Sequence, residues 1–402
     1  MAIIHPFKGW LPLPEKADEV ACPPYDVIST EEARDLSKGK PDSFLHVIRP
    51  EIDLPDSTPF YADEVYDKGA QNLNRLLQSE LFIQDSKPSI YLYQMEEKDH
   101  VQTGVFTCAS VQDYDNNVIL KHELTRPDKE DDRTRHILTQ KAHAEPVMLT
   151  YEDTSDIQFL MEKLIITTPP FIEHVGERGV IHRIWKTDNA SDFVEAFSKI
   201  EKLYIADGHH RCKSASRVAE TLRNETASFP GESEFEYFPV VLFPMNQMKI
   251  LPYNRVIKTC SSEQFKKLQD LGLVRSEEKE PSSRGIVSIY YNESWWSMPL
   301  PEAQNSQIAS SLDVARLQSG VLEPVFGIEN PRTDERIDFI GGIRGTEELE
   351  KIVNSGEFEL AISMYPTTTQ ELIDTSDAGE LMPPKSTWFE PKIKSGFIVH
   401  TF

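Results

Sequence analysis

The sequence predicts an α+β protein built of mixed sheets with helices. Strand-like and helix-like runs interleave along the chain without the regular βαβ spacing of a doubly wound fold. Short turn segments separate neighbouring strand runs, as antiparallel hairpins require. With 402 residues, 39% of them hydrophobic and 9% aromatic, the chain can bury a core without disulfides or metal.

The elements are legible in order. Ser29 and Glu32 have capping-box spacing ahead of a helix that Gly39 closes. An amphipathic run over residues 61–81 puts Val65, Leu73, Leu76 and Leu77 on one apolar face. Residues 90–95 and 101–111 read as strands joined at Lys98-Asp99-His100. The charged stretch 121–143 turns helical after Pro127, and 146–151 reads as a buried strand. Helical patterns over 156–165 and 190–200 alternate with strands over 171–175, 180–185 and 202–206. A helix follows from about Cys212, then a loop over 230–234 and a buried strand over 237–243. The last third holds a hairpin turning at Asn292-Glu293, helices near 312–318, 347–353 and 369–375, and strands over 358–364 and at the end. Two regions are expected: 1–225 as the nucleotide-binding, catalytic part and 226–402 as a second α+β lobe.

Composition removes several function classes. The 42 Lys and Arg stand against 66 Asp and Glu, a formal charge of −24. Nucleic-acid affinity rests on neutralising phosphates with cations, so no nucleic-acid partner is expected. A local cationic pocket for a small anion is compatible with that surplus of acid. The four cysteines, Cys22, Cys108, Cys212 and Cys260, have no Cys-x-x-Cys spacing and read as scattered reduced thiols. The first residues lack a secretory pattern, and no run approaches the ~20 apolar residues that span a bilayer. A cytoplasmic protein with no membrane partner is expected. No Walker P-loop, G-x-G-x-x-G or G-x-S-x-G occurs, and His122-Glu123 has Arg126 where a zinc protease needs its second histidine.

The strongest local signal is Asp207-Gly208-His209-His210-Arg211, where a strand ends and a helix opens. Helix N-termini attract anions, Arg211 can fork onto a phosphate, and a histidine can donate or shuttle a proton. Asp207 is placed to orient a histidine or help hold Mg²⁺. The plain alternative is a turn with Asp207 as cap and histidines that only pack. A second cluster, Lys121-His122-Glu123-Leu124-Thr125-Arg126, sets a glutamate beside a histidine, equipment for general base catalysis. A third, Cys22-Pro23-Pro24-Tyr25-Asp26-Val27, uses two prolines to aim Tyr25 and Asp26. In residues 43–50 a strand period sends His46 and Ile48 to one face and Val47 and Arg49 to the other. Pro383-Pro384-Lys385-Ser386-Thr387 carries a lysine and two hydroxyls on a stiff loop suited to phosphate.

These motifs, with Glu145-Pro146-Val147 between them, resemble in order the DUF1015 family over nearly the whole chain. The Asp207–Arg211 motif is also similar to the phosphate loop of ParB/sulfiredoxin-like proteins, among them free L-serine kinases. That resemblance implies a ParB/sulfiredoxin-like nucleotide-binding core plus an additional lobe. It implies a kinase-type phosphotransferase that uses ATP or ADP with Mg²⁺ on a small hydroxylated metabolite such as free L-serine. Asp207, Gly208, His209, His210, Arg211 and Lys385 would bind phosphate, with Asp207 near the metal. The kinase's glutamate does not align here, so Glu123 and Asp26, with His122, are catalytic candidates from chemistry alone. The alternatives are a ParB-like switch that binds and hydrolyses CTP and acts through a protein partner, and a phosphate-ester hydrolase.

Overall fold

The computed structural model describes residues 1–187 and 189–402. They divide into two units, Met1–Met248 with Pro391–Phe402, and Lys249–Glu390.

The first unit is organised by a nine-stranded sheet. Its strands are β1 (Ile4–His5), β2 (Ile90–Glu97), β3 (His100–Ser110), β4 (Ile119–Leu120), β5 (Val147–Tyr151), β6 (Ile172–Val175), β7 (Ile181–Thr187), β8 (Leu203–Asp207) and β9 (Tyr237–Pro244). They lie in the order β4-β8-β5-β9-β3-β2-β7-β6, with β1 beside β3. Only the β8–β4 and β9–β5 pairs are parallel, so the sheet is mixed. The β2–β3 hairpin closes with Glu97 opposite His100, and Lys98 takes a positive φ of 53° in the turn.

Six helices of this unit matter below: α1 (Thr30–Ser37), α2 (Asp63–Leu77), α3 (Pro127–Gln140), α4 (Ser155–Thr167), α5 (Ala190–Phe197) and α6 (His209–Thr226). The capping box forms at α1, with Ser29 Oγ accepting from the Glu32 N–H and Glu32 accepting from the Ser29 N–H. Small residues let α6 lie close to the sheet. Its Cys212, Ala215, Val218, Ala219 and Leu222 join Val147, Leu149, Ile205, Val240 and Leu242 in one core. Burying each larger aliphatic chain there contributes about 1.5–3 kcal/mol. α3 is held to α6 from its other side, where Ser214 Oγ donates to the Glu130 carbonyl and Arg217 pairs with Glu130 and Asp131.

The second unit holds β10 (Tyr253–Ile257), β11 (Val274–Arg275), β12 (Ile286–Tyr291), β13 (Ser294–Pro299), β14 (Ile337–Gly341) and β15 (Leu360–Ser363). They form an antiparallel sheet ordered β11-β13-β12-β15-β10-β14. Asn292 and Glu293 both take positive φ, 47° and 55°, as a two-residue hairpin turn demands. Helix α8 (Gly345–Asn354), which follows α7 (Ser262–Asp270), brings Leu349 onto a core of Val256, Tyr290, Trp295, Phe358 and Ala361.

Two expectations need correction. Residues 43–50 do not form a strand: Leu45–Ile48 is one helical turn. Leu45, Val47 and Ile48 are all buried, so the apparent alternation was too short to reveal a segment enclosed on more than one face. The units also differ from the expected division at residue 225. β9 lies inside the first sheet between β5 and β3, which carries the first unit past that point to Met248. Local patterns report elements, not strand order. No described helix is long and apolar enough to cross a membrane.

Candidate functional site

β8 ends at Asp207 and α6 begins at His209, so Gly208 alone makes the turn. Its φ of 108° and ψ of 31° lie in the left-handed region that favours glycine. A Cβ there would stand 3.0 Å from Arg211 Nε and 3.3 Å from Val147 Cγ2. Gly208 is also the N-cap, and no side chain caps this 18-residue helix, so Asp207 is not its cap. The first backbone N–H groups of α6 and their partial positive charge therefore face the turn.

Arg211 sits directly beneath. Its side chain is 7% exposed and its guanidinium is 3.7 Å from Asp26 and 3.6 Å from Asp207. Nη1 donates to the Pro146 carbonyl, while Nε and Nη2 are buried without a hydrogen-bond partner. Burial alone would lower the pKa of Arg211; Asp26, Asp207 and Glu145 outweigh it and hold the guanidinium charged. A cavity of about 30 Å³, room for one water, touches Arg211 and is lined also by Arg133, His136, His143 and Glu145.

The double-proline segment is anchored from below. The Tyr25 N–H donates to Glu145 Oε1 at 3.1 Å, and Arg133 stacks 4.2 Å over the Tyr25 ring. That fixes Asp26, whose side chain is 34% exposed, beside Arg211. Burial raises the Glu145 carboxyl above its ordinary range, although Arg211 and Arg133 pull the other way.

The 121–126 segment docks on the same turn through the histidines. His209 Nε2 accepts from the His122 N–H at 3.4 Å, and His210 Nε2 accepts from the Arg126 N–H at 3.0 Å. Accepting at Nε2 marks both rings as neutral with the proton at Nδ1. Their first role is to hold this segment, which the sequence did not disclose. His122 packs edge-to-face on His209 with centroids 4.4 Å apart. It is 1% exposed, and burial pulls its pKa down to about 4. So enclosed, His122 cannot touch a substrate and acts as packing. His209 is buried too, whereas His210 and Glu123 are half-buried.

Asp207 departs from its expected metal role. Burial would raise its pKa, but Lys392 at 3.1 Å and then Arg211 hold the carboxyl far below the usual range. A carboxylate flanked by two cations does not fit Mg²⁺, and no group of three or more metal-ligating side chains exists among the described residues. Lys385 lies in the second unit, with Nζ 3.4 Å from the Tyr253 hydroxyl and 5.1 Å from that ring's centroid. Sequence reasoning gave no role to Lys392 or Glu145, and read Arg133 as one of several arginines suited to a phosphate chain. The available signals were Pro391-Lys392, which repeats the Pro-Lys pairing of Pro384-Lys385, and Glu145 within a quoted motif.

Comparison with known proteins places this geometry in context. The family model described as "Protein of unknown function (DUF1015)" matches residues 4–315. No curated protein matches the chain. Among solved structures, a free serine kinase in complex with AMP shares 15% identity at a TM-score of 0.36, covering 71% of this chain and 87% of that one. SbnI from Staphylococcus aureus, with a C-terminal truncation, shares 12% at 0.39, covering 72% and 85%. A conserved hypothetical protein from Pyrococcus furiosus shares 13% at 0.35, covering 73% and 93%. Likenesses this distant carry no argument about chemistry. The family match spans well over half of the sequence, and the chain belongs to the DUF1015 family.

Proposed function

We propose that the chain is a phosphotransferase that moves a phosphoryl group from a nucleotide, ATP or ADP, to a small hydroxylated metabolite such as free L-serine. One observation carries the reading. An uncapped helix N-terminus opens at a glycine turn over a buried, charged arginine whose Nε has no hydrogen-bond partner and whose Nη2 is held only by ion pairs at 3.6 and 3.7 Å. Backbone N–H groups and a fixed guanidinium together suit phosphate oxygens. Asp26 is the proposed catalytic base, since it is the exposed carboxylate held beside Arg211. It would take the proton of the acceptor hydroxyl as that oxygen bonds to phosphorus and the bond to the departing nucleotide breaks. Phosphoryl transfer asks mainly for positioning and charge stabilisation, which a rigid turn supplies. Glu123, on the segment docked by His209 and His210, is the second candidate base. Mg²⁺ would come bound to the nucleotide phosphates, and no step is assigned to it.

Incubation with ATP, ADP or CTP and a panel of hydroxy amino acids tests the proposal. Nucleotide consumption that requires an acceptor, with a phosphorylated small molecule seen by mass spectrometry, is expected. Asp26→Asn should lower that turnover at least a hundredfold, in line with loss of a general base. Hydrolysis that needs no acceptor would favour the switch or the hydrolase. No turnover and no thermal stabilisation by any nucleotide would overturn the reading.

A further inference from the structure

We propose that Lys392 is a phosphate-binding residue of this site, delivered by the last segment of the chain. The inference rests on the reading of the Asp207–Arg211 turn as a phosphate site, and names a second cation that it uses.

Lys392 belongs to Pro391–Phe402, which rejoins the first unit after Lys249–Glu390. The return is firmly tied. Cys22 and Ser395 exchange backbone hydrogen bonds at 3.1 and 3.0 Å, and Val399 and Trp10 do so at 2.9 and 3.0 Å. His400–Thr401 pairs with Ala142–His143, and Ser395 Oγ donates to Glu145 at 3.3 Å. The backbone of the segment is therefore placed by contacts other than those of Lys392. Its ammonium reaches Asp207 Oδ2 at 3.1 Å, and its side chain is 17% exposed. Arg211 approaches the same carboxylate at 3.6 Å.

Two acids, Asp26 and Asp207, thus face two cations, Arg211 and Lys392, at one turn. A nucleotide diphosphate adds surplus negative charge there and needs a cation that can turn toward it. Arg211 cannot do so: it is enclosed, bonded to the Pro146 carbonyl and pressed against Gly208. Lysine carries a compact charge on a flexible four-carbon stem, so Lys392 can swing from Asp207 to a phosphate above the turn without moving its backbone. In this arrangement Asp207 parks Lys392 beside the site instead of holding a metal ion. Arg211 Nε, on a side chain more than nine-tenths buried at the same turn, has no hydrogen-bond partner and is an independent sign that a polar group belongs there.

Titration calorimetry of ADP into the full chain, wild type and Lys392 variants, tests this. Lys392→Met is expected to weaken ADP binding at least tenfold, and Lys392→Arg to stay within threefold of wild type. A structural lysine would change the melting temperature and leave the dissociation constant alone. Acetylation of the wild type with acetic anhydride gives a second readout that needs no variant. ADP should protect Lys392 several-fold, read by peptide mass spectrometry. Wild-type ADP binding with neither weakening in Lys392→Met nor protection of Lys392 overturns the inference and leaves the phosphate site standing. Absence of ADP binding by the wild type overturns the phosphate site itself.

Discussion

Between pH 6.5 and 5 the first unit is expected to lose stability while the second changes little. All 11 histidines fall outside Lys249–Glu390. Burial pulls His122 down to about 4, and pulls His136, His143, His182 and His209 well below their ordinary value. The sign follows from proton linkage. A histidine whose folded pKa is depressed binds more protons when unfolded, so its contribution is complete above about 6.5 and is lost as the pH falls toward the folded value. Each such ring removes up to about 1.4 kcal/mol per pH unit. All five rings are shifted in the same direction, so their contributions add and fall on the unit that holds them. Glu145, raised by burial, opposes this only where carboxylates begin to protonate. Hydrogen exchange followed by mass spectrometry should show peptides of Met1–Met248 losing protection as the pH drops to 5, while Lys249–Glu390 stays protected. Equal protection of both units at pH 5 would contradict the burial of these rings as neutral groups.

Replacing Arg211 with methionine is expected to cost about 3–5 kcal/mol of stability, because removing one partner of a buried ion cluster leaves the others uncompensated. Asp207 and Glu145 would lose a neighbouring positive charge, and the Pro146 carbonyl would lose its donor. The surface pair Arg34–Asp56 gives the contrast: with side chains 39% and 86% exposed, Arg34→Met should change stability by about 1 kcal/mol or less. Urea denaturation of both variants reads the difference. Equal midpoints would show that Arg211 is not the counter-charge of the cluster.

How much the sequence disclosed depends on how local each signal was. The capping box at Ser29, the helix after Pro127 and the turns at Lys98 and Asn292 were legible because each rests on a few neighbouring residues with specific backbone demands. The Asp207–Arg211 turn was legible for the same reason, whereas the 3.7 Å ion pair of Arg211 with Asp26 joins segments far apart along the chain. What escaped were long-range pairings. His209 and His210 looked like ligand donors, but their Nε2 atoms accept from backbone groups more than eighty residues away. Asp207 looked like a metal ligand because nothing local shows that Lys392 neutralises it from 185 positions along the chain. The helical turn at Leu45–Ile48 was hidden by burial on more than one face, which erases the period that tells helix from strand.

A crystal structure of the chain with ADP tests the central claim most directly. The phosphate site at Gly208 requires a phosphate group within hydrogen-bonding distance of the His209 or His210 backbone N–H, with the Lys392 ammonium turned from Asp207 toward it. ADP seated elsewhere, with Lys392 still on Asp207 and the α6 N-terminus untouched, would contradict it.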